Sequence, residues 1–260
     1  MCRSLPPETL DLIVNHLGDE PTALKMCCLV SKSWVPRSRR NLFAHVTFDA
    51  HRSLIESWMK AFPNPSNSPA HYTRTLTIRG LQLVNAVGTD AGRWIRAFHS
   101  VVHLHVYTLD SAETWGDDYQ VSLAPFHGLS PGVRSLHLHS VSLPPSEIFG
   151  LLCSFSLLEN FTSLAFGGME GTDEWAAPLA SPRLTGSLEL CSVVKGISST
   201  TRRLLDLPNG LRFTKITVLC FSREDFESTT DLVSGCSDTL ESLSVISHLE
   251  GTFTSLPEPD

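Results

Sequence analysis

The chain reads as an α/β protein, a short N-terminal unit of three helices followed by a curved solenoid built on a parallel sheet. Three observations carry this reading. Apolar residues at helical spacing run through the first 48 residues, with proline or serine where helices would begin. A segment rich in Pro, Asn and Ser, from Pro63 to Pro69, then interrupts regular structure. Beyond it, short stretches of alternating apolar residues return at intervals of 24 to 32 residues, about 28 on average, a spacing that suits a strand plus a crossover.

The first helix starts at Leu5-Pro6-Pro7-Glu8, since proline is tolerated in a first turn and an acid there complements the helix dipole. Leu10, Ile13, Val14 and Leu17 form one apolar stripe, and Gly18 stands where a glycine ends a helix. Pro21 opens a second apolar segment through Val30. Ser31 or Ser33 is expected to cap a third helix carrying Trp34, and Pro36, early in that helix, predicts a kink or a restart. Leu42, Phe43, Val46 and Phe48 close the unit. Three short helices in about 45 residues are near the size at which a domain needs outside help, so part of this apolar surface must be covered by something else.

The order Leu-Pro, Glu, Leu, Ile, Leu, then Cys-Leu-Val-Ser-Lys-x-Trp resembles an F-box. The matching positions are Leu5, Pro6, Glu8, Leu10, Ile13, Leu17, Leu24, Cys27, Leu29, Val30, Ser31, Lys32, Trp34 and Phe43, about a sixth of the chain. Residues 1–48 are read as that domain. The resemblance implies docking onto a Skp-type linker protein, and through it onto a cullin-RING ubiquitin ligase. The side chains taken as linker contacts are Leu5, Pro6, Leu10, Ile13, Leu17, Leu29, Val30 and Trp34, some of which must also hold the helices together. The bare residues also allow a cap that covers the end of the next domain. Pro36 departs from the pattern and bears on the geometry after Trp34.

Residues 49–72 are read as a linker, weakly helical around Leu54, Ile55, Trp58 and Met59 before the proline segment. Residues 73–260 form the solenoid, about seven irregular repeats. Its strands begin their alternation at Leu76, Leu104, Leu136, Leu164, Leu188, Ile216 and Leu243, each with an apolar residue two positions on. Helical stretches are expected from Asp90 to Val101, Pro144 to Leu158, Ser198 to Leu207 and Glu224 to Leu240. This half is similar to leucine-rich repeats, although its loops lack that family's asparagine ladder. An F-box followed by such repeats is an architecture of substrate adaptors, abundant in filamentous fungi.

With the strand leucines turned inward, the residues between them face the concave side. There Arg79, His103, His105, Tyr107, His137 and His139 come together on three adjacent strands as a candidate substrate-binding patch, with Ser163, Ala165 and Gly167 expected on the fourth. Four histidines on two strands could hold zinc or sense pH, or simply lie exposed; no thiol or carboxylate accompanies them to complete a metal site, and no metal or cofactor is expected.

A net charge of −7 argues against general nucleic-acid binding. The basic run Arg37 to Arg40 reads as a solvated helix face or a nuclear address. The N-terminus lacks an apolar signal core and no window reaches about eighteen apolar residues, which predicts neither secretion nor membrane insertion. Seven cysteines without a C-x-x-C pair suit reduced thiols in cytoplasm or nucleus, where the sequon Asn160-Phe161-Thr162 is silent. Nucleophile elbows, zinc-protease signatures and phosphate loops are absent, Gly167 to Gly171 reads as a turn, and Asp117-Asp118 has no basic partner nearby in sequence, so no enzyme is expected. The expected function is a substrate-recognition adaptor of a Skp/cullin/F-box ligase with an unknown protein substrate. The alternatives are a repeat scaffold with no ligase role and, more remotely, an enzyme with an unfamiliar site. The tail after Leu249 is too short for another repeat, which predicts an uncapped last strand.

Overall fold

The computed structural model describes residues 6–18, 20–49, 54–80, 93–107, 123–129, 131–139, 145–164, 182–191, 197–220 and 222–247. Helices α1 (Pro7–His16), α2 (Pro21–Val30) and α3 (Val35–Leu42) come first. Each has proline in its first turn, where the missing N–H costs nothing. The buried faces of α1 and α2 are narrow: Leu10 and Val14 on one, Leu24 and Cys27 on the other. α3 is pinned to α1 by polar contacts. The Asn41 side-chain amide donates to the Val14 carbonyl at 3.1 Å and to Asn15 Oδ1 at 3.2 Å, and Arg37 pairs with Asp11. Arg37 is therefore part of the helix seam, whereas Arg39 and Arg40 are exposed.

Two expectations for this unit change. No serine caps α3: Trp34 is its N-cap residue and makes no side-chain cap bond, while Ser31 Oγ accepts from Ser33 N at 3.3 Å in a local turn. Pro36 lies in the first turn of a helix that starts only at Val35, so it neither kinks nor restarts it.

The rest of the described chain builds one eight-stranded, all-parallel sheet in strict sequence order: β1 (His45–Asp49), β2 (Thr75–Arg79), β3 (His103–Tyr107), β4 (Ser135–His139), β5 (Asn160–Leu164), β6 (Ser187–Cys191), β7 (Lys215–Cys220) and β8 (Ser242–Ser247). The sheet thus has one strand more than the seven expected, and it starts at His45, inside the stretch assigned to the helical unit. Val46 and Phe48 are inward residues of β1, paired with Leu76 and Ile78. The segment expected to be a linker packs too. Its helix α4 (Leu54–Ala61) buries Ile55, and Trp58 makes edge-on ring contacts with Phe43 at 5.8 Å and Phe48 at 5.7 Å, joining helical unit to sheet. Two 3-10 turns, Pro65–Asn67 and Pro69–Tyr72, lead into β2.

Six of the seven crossovers close in the same way. The carbonyl just before a strand accepts two consecutive N–H groups of the next unit: Ala44 from Arg74 and Thr75, Arg74 from Val102 and His103, Val102 from Arg134 and Ser135, Arg134 from Glu159 and Asn160, Gly186 from Thr214 and Lys215, Thr214 from Glu241 and Ser242. Between β5 and β6 the Glu159 carbonyl accepts from Gly186 N, and Ser187 N donates to the Asn160 side chain instead. At β5 the two-donor rung sets a register different from that expected. Leu136 faces Phe161 and His139 faces Leu164, so Phe161 and Ser163 point inward and Asn160, Thr162 and Leu164 take the open face. The expected pairing of Leu164 with Leu136 is thus wrong by three residues, an odd slip that exchanges the two faces. Ala165, Gly167 and the Gly167–Gly171 turn lie outside the described residues, as does Asp117-Asp118.

Helices cover one face. α5 (Pro145–Ser154) buries Ile148, Phe149, Leu151 and Leu152 against the strands; further along, α6 (Ser198–Leu205) and α7 (Arg223–Gly235) pack against each other. Both later helices end short of the expected Leu207 and Leu240, and of the helix expected from Asp90 only 93–95 is helical among the described residues. The third residue of α5 and of α7 is an acid that reaches back to the preceding segment. Glu147 Oε2 accepts from Leu123 N at 2.9 Å and Asp225 Oδ1 from Ile197 N at 2.8 Å, while Asp225 also completes a capping box with Ser222. β8 is exposed along its whole length, with Leu243, Val245 and Ile246 open to solvent.

Candidate functional site

Two surfaces bring the candidate residues together. The first lies on the helical unit. α1 and α2 are amphipathic, but each buries only two side chains, and the apolar residues beyond that narrow contact stay outside: Leu12 72%, Ile13 36%, Met26 59%, Leu29 80% and Val30 67% exposed. On α2 the spacing Met26, Leu29, Val30 sets these three on one face, turned away from buried Leu24 and Cys27. Of the expected contact residues, Ile13, Leu29, Val30 and Pro6 are exposed, Leu17 and Trp34 are half-buried, and Leu5 lies outside the described residues. Leu10 is buried and belongs to the core of the unit instead. Leu12, which the apolar stripe of the first helix passes over, and Met26, which lies in the second apolar segment but was not among the expected contacts, join the exposed set. The signal for Leu12 was that it is apolar yet lies off the stripe of its helix.

The second surface is the open face of the sheet. Strand alternation buries Leu76, Ile78, Leu104, Val106, Leu136 and Leu138, and turns Arg79, His103, His105, Tyr107, His137 and His139 outward. Parallel register aligns them in rows: His105 faces His137, and Arg79, Tyr107 and His139 follow one another across β2, β3 and β4. His105 and His137 stack with centroids 4.3 Å apart, Tyr107 and His139 lie 5.2 Å apart, and the Arg79 guanidinium sits over the Tyr107 ring at 5.7 Å. Gly80, at φ 87°, turns the chain off β2 and donates its N–H to the Tyr107 carbonyl at 2.8 Å, fixing the end of this row.

Electrostatics favours neutral rings here. Burial, then the neighbouring His137 and His103, pulls the His105 imidazole down to about 4, and burial with His103 also lowers His137. His137 Nε2 lies 2.9 Å from Ser135 Oγ. Among the described residues no group of three or more His, Cys, Asp or Glu is placed to hold a metal ion. What the face offers is flat, polarisable stacking surface beside one cation, suited to gripping a side chain or an extended peptide.

Among the described residues no helix is long and apolar enough to cross a membrane. Asn160 of the sequon sits in β5, its Oδ1 accepting from Ser187 N at 2.8 Å and from Ser187 Oγ at 2.9 Å. No protein-family model, no curated protein and no solved structure matches this chain.

Proposed function

We propose that the chain is a substrate-recognition adaptor of a Skp/cullin/F-box ubiquitin ligase, an F-box joined to a curved leucine-rich-repeat-like solenoid. In this reading α1 and α2 dock a Skp-type linker protein and the open sheet face takes up the substrate protein. The observation that carries it is the apolar set Leu12, Ile13, Met26, Leu29 and Val30, left exposed on two helices of a unit whose own core is small. The F-box resemblance of the same helices names the partner, and the sequential parallel sheet behind them is the topology a repeat solenoid requires.

Full burial of a large aliphatic side chain is worth about 1.5–3 kcal/mol, so two or three of these anchors suffice for a micromolar contact after the cost of association. The test is a binding titration of the purified chain with a Skp-type linker protein. Leu12→Asp with Leu29→Asp should weaken binding at least about tenfold without changing the circular dichroism spectrum. These positions suit the experiment because both are exposed, whereas an acid at buried Leu10 would unfold the unit. A wild-type chain that ignores the linker protein would favour the repeat scaffold with no ligase role.

A further inference from the structure

We propose that the cleft between the 3-10 turns leading into β2 and the turn bearing Arg93 and Arg96 binds a small organic molecule through its phosphate group. The cleft has a volume of about 390 Å³ and is lined by Ser66, His71, Arg93, Arg96 and His99, with Pro65, Ser68 and Ala97. Among the described residues no carboxylate lines it, although acidic residues outnumber Lys and Arg by 27 to 20 in the chain. Among the described residues neither Arg93 nor Arg96 has an acidic partner.

The local fold aims both guanidinium groups at the cleft. Trp94, Ile95 and Phe98 are buried and anchor the turn, which leaves Arg93 and Arg96, three residues apart, on its outer side. Like charges so close repel, and a shared anion relieves the repulsion. Gly128 makes room for one of them: a Cβ there would come within 2.9 Å of Arg96 Cγ. The opposite wall is held firm. Ser68 Oγ donates to the Pro65 carbonyl at 2.7 Å, Asn64 Oδ1 accepts from Ser66 N at 3.0 Å, and His71 Nδ1 lies 2.9 Å from the Ser68 carbonyl. That last contact makes Nδ1 the protonated nitrogen in the neutral ring and leaves the Ser66 hydroxyl and His71 Nε2 uncommitted.

Two guanidinium forks match the oxygens of a phosphate, where a lysine would offer only a point charge. The volume exceeds what inorganic phosphate fills and falls in the range of small-molecule pockets, which points to an organic phosphate. The site is independent of linker docking.

The test uses the full chain at constant ionic strength, titrated by calorimetry with pyrophosphate, glucose 6-phosphate, O-phosphoserine and sulfate. Saturable binding of the organic phosphates, tighter than sulfate and weakened at least about tenfold by Arg93→Gln with Arg96→Gln, is the expected result. Arg223→Gln, at a distant exposed ion pair, should leave it unchanged. Phosphorus NMR line broadening of glucose 6-phosphate gives a second readout, and both arginines are exposed, so the double variant keeps its fold. Absence of saturable binding, or binding indifferent to the double variant, would overturn the proposal. So would a phosphoserine peptide that binds more than about tenfold tighter than every small phosphate, since the cleft would then belong to a protein ligand.

Discussion

The imidazole rings of His105 and His137 lie face to face, 4.3 Å between centroids and 3° from parallel, on neighbouring strands of the open sheet face. Two imidazolium ions cannot share that stack at low cost, and the half-buried position penalises even one.

The consequence is a pH dependence with a definite sign. His105 titrates near 4 in the folded chain, below its ordinary value of 6.5, so the unfolded chain binds the extra proton more readily. The contribution to stability is fully present above about pH 6.5 and is lost as pH falls from there toward 4. Urea denaturation should show wild type losing about 1 kcal/mol more than His105→Gln between pH 7 and pH 5. Parallel curves for the two proteins would remove the histidine stack as the cause.

Core and contact residues of the helical unit should separate cleanly. Leu24 is 1% exposed and Leu29 is 80% exposed, on the same helix. Leu24→Ala should cost about 2–5 kcal/mol in urea denaturation, by loss of transfer energy and a residual cavity. Leu29→Ala should change stability by less than about 0.5 kcal/mol while weakening linker binding. Equal destabilisation by both would mean that Leu29 is not a free surface residue.

A third prediction concerns the join between β5 and β6. A Cβ at Gly186 would lie 2.3 Å from Asn160 Oδ1, the atom that accepts from Ser187 N. Gly186→Ala should therefore cost about 1–3 kcal/mol, by overpacking and by orphaning the Ser187 N–H. Asn160→Ala combined with Gly186→Ala should cost less than the sum of the two single changes, because the clash has gone. Strict additivity in the denaturation midpoints would contradict this coupling.

How far the chain could be read in advance follows from what each element relies on. Six of the seven expected strands keep their register because two large apolar residues, such as Leu104 and Val106, occupy the inward positions and polar ones the outward. β5 misleads because one inward position is Ser163, a small polar residue buried beside Phe161, while Leu164 and Phe166 offer a more apolar alternation one face over. β1 was hidden in plain view: His45-Val46-Thr47-Phe48 alternates, but it follows a helix without a break and passes as that helix's closing segment. The linker was misjudged because prolines mark the end of regular structure, not the end of packing; buried Ile55 and Ala70 belong to the main core. On the candidate surfaces, alternation was enough to bring Arg79, Tyr107 and His139 into one row. Helical periodicity could not tell which members of an apolar stripe face α3 and which face outward, since that depends on where the third helix crosses. The cleft at Arg93 and Arg96 was invisible because its two walls are more than twenty residues apart in the chain and meet only through the fold.

The paired N–H groups that converge on one carbonyl at six of the seven crossovers separate the phase of a strand from the length of chain that precedes it. His103 and Ser135 are in register although 32 residues apart, and the step from Ser135 to Asn160 takes only 25, yet both steps end on the same two-donor rung. Chain length can therefore be added to or taken from the helical side of a unit while the next strand still enters at the same point. The open face behaves as a fixed grid, and the connections behind it are the freely variable part of the molecule.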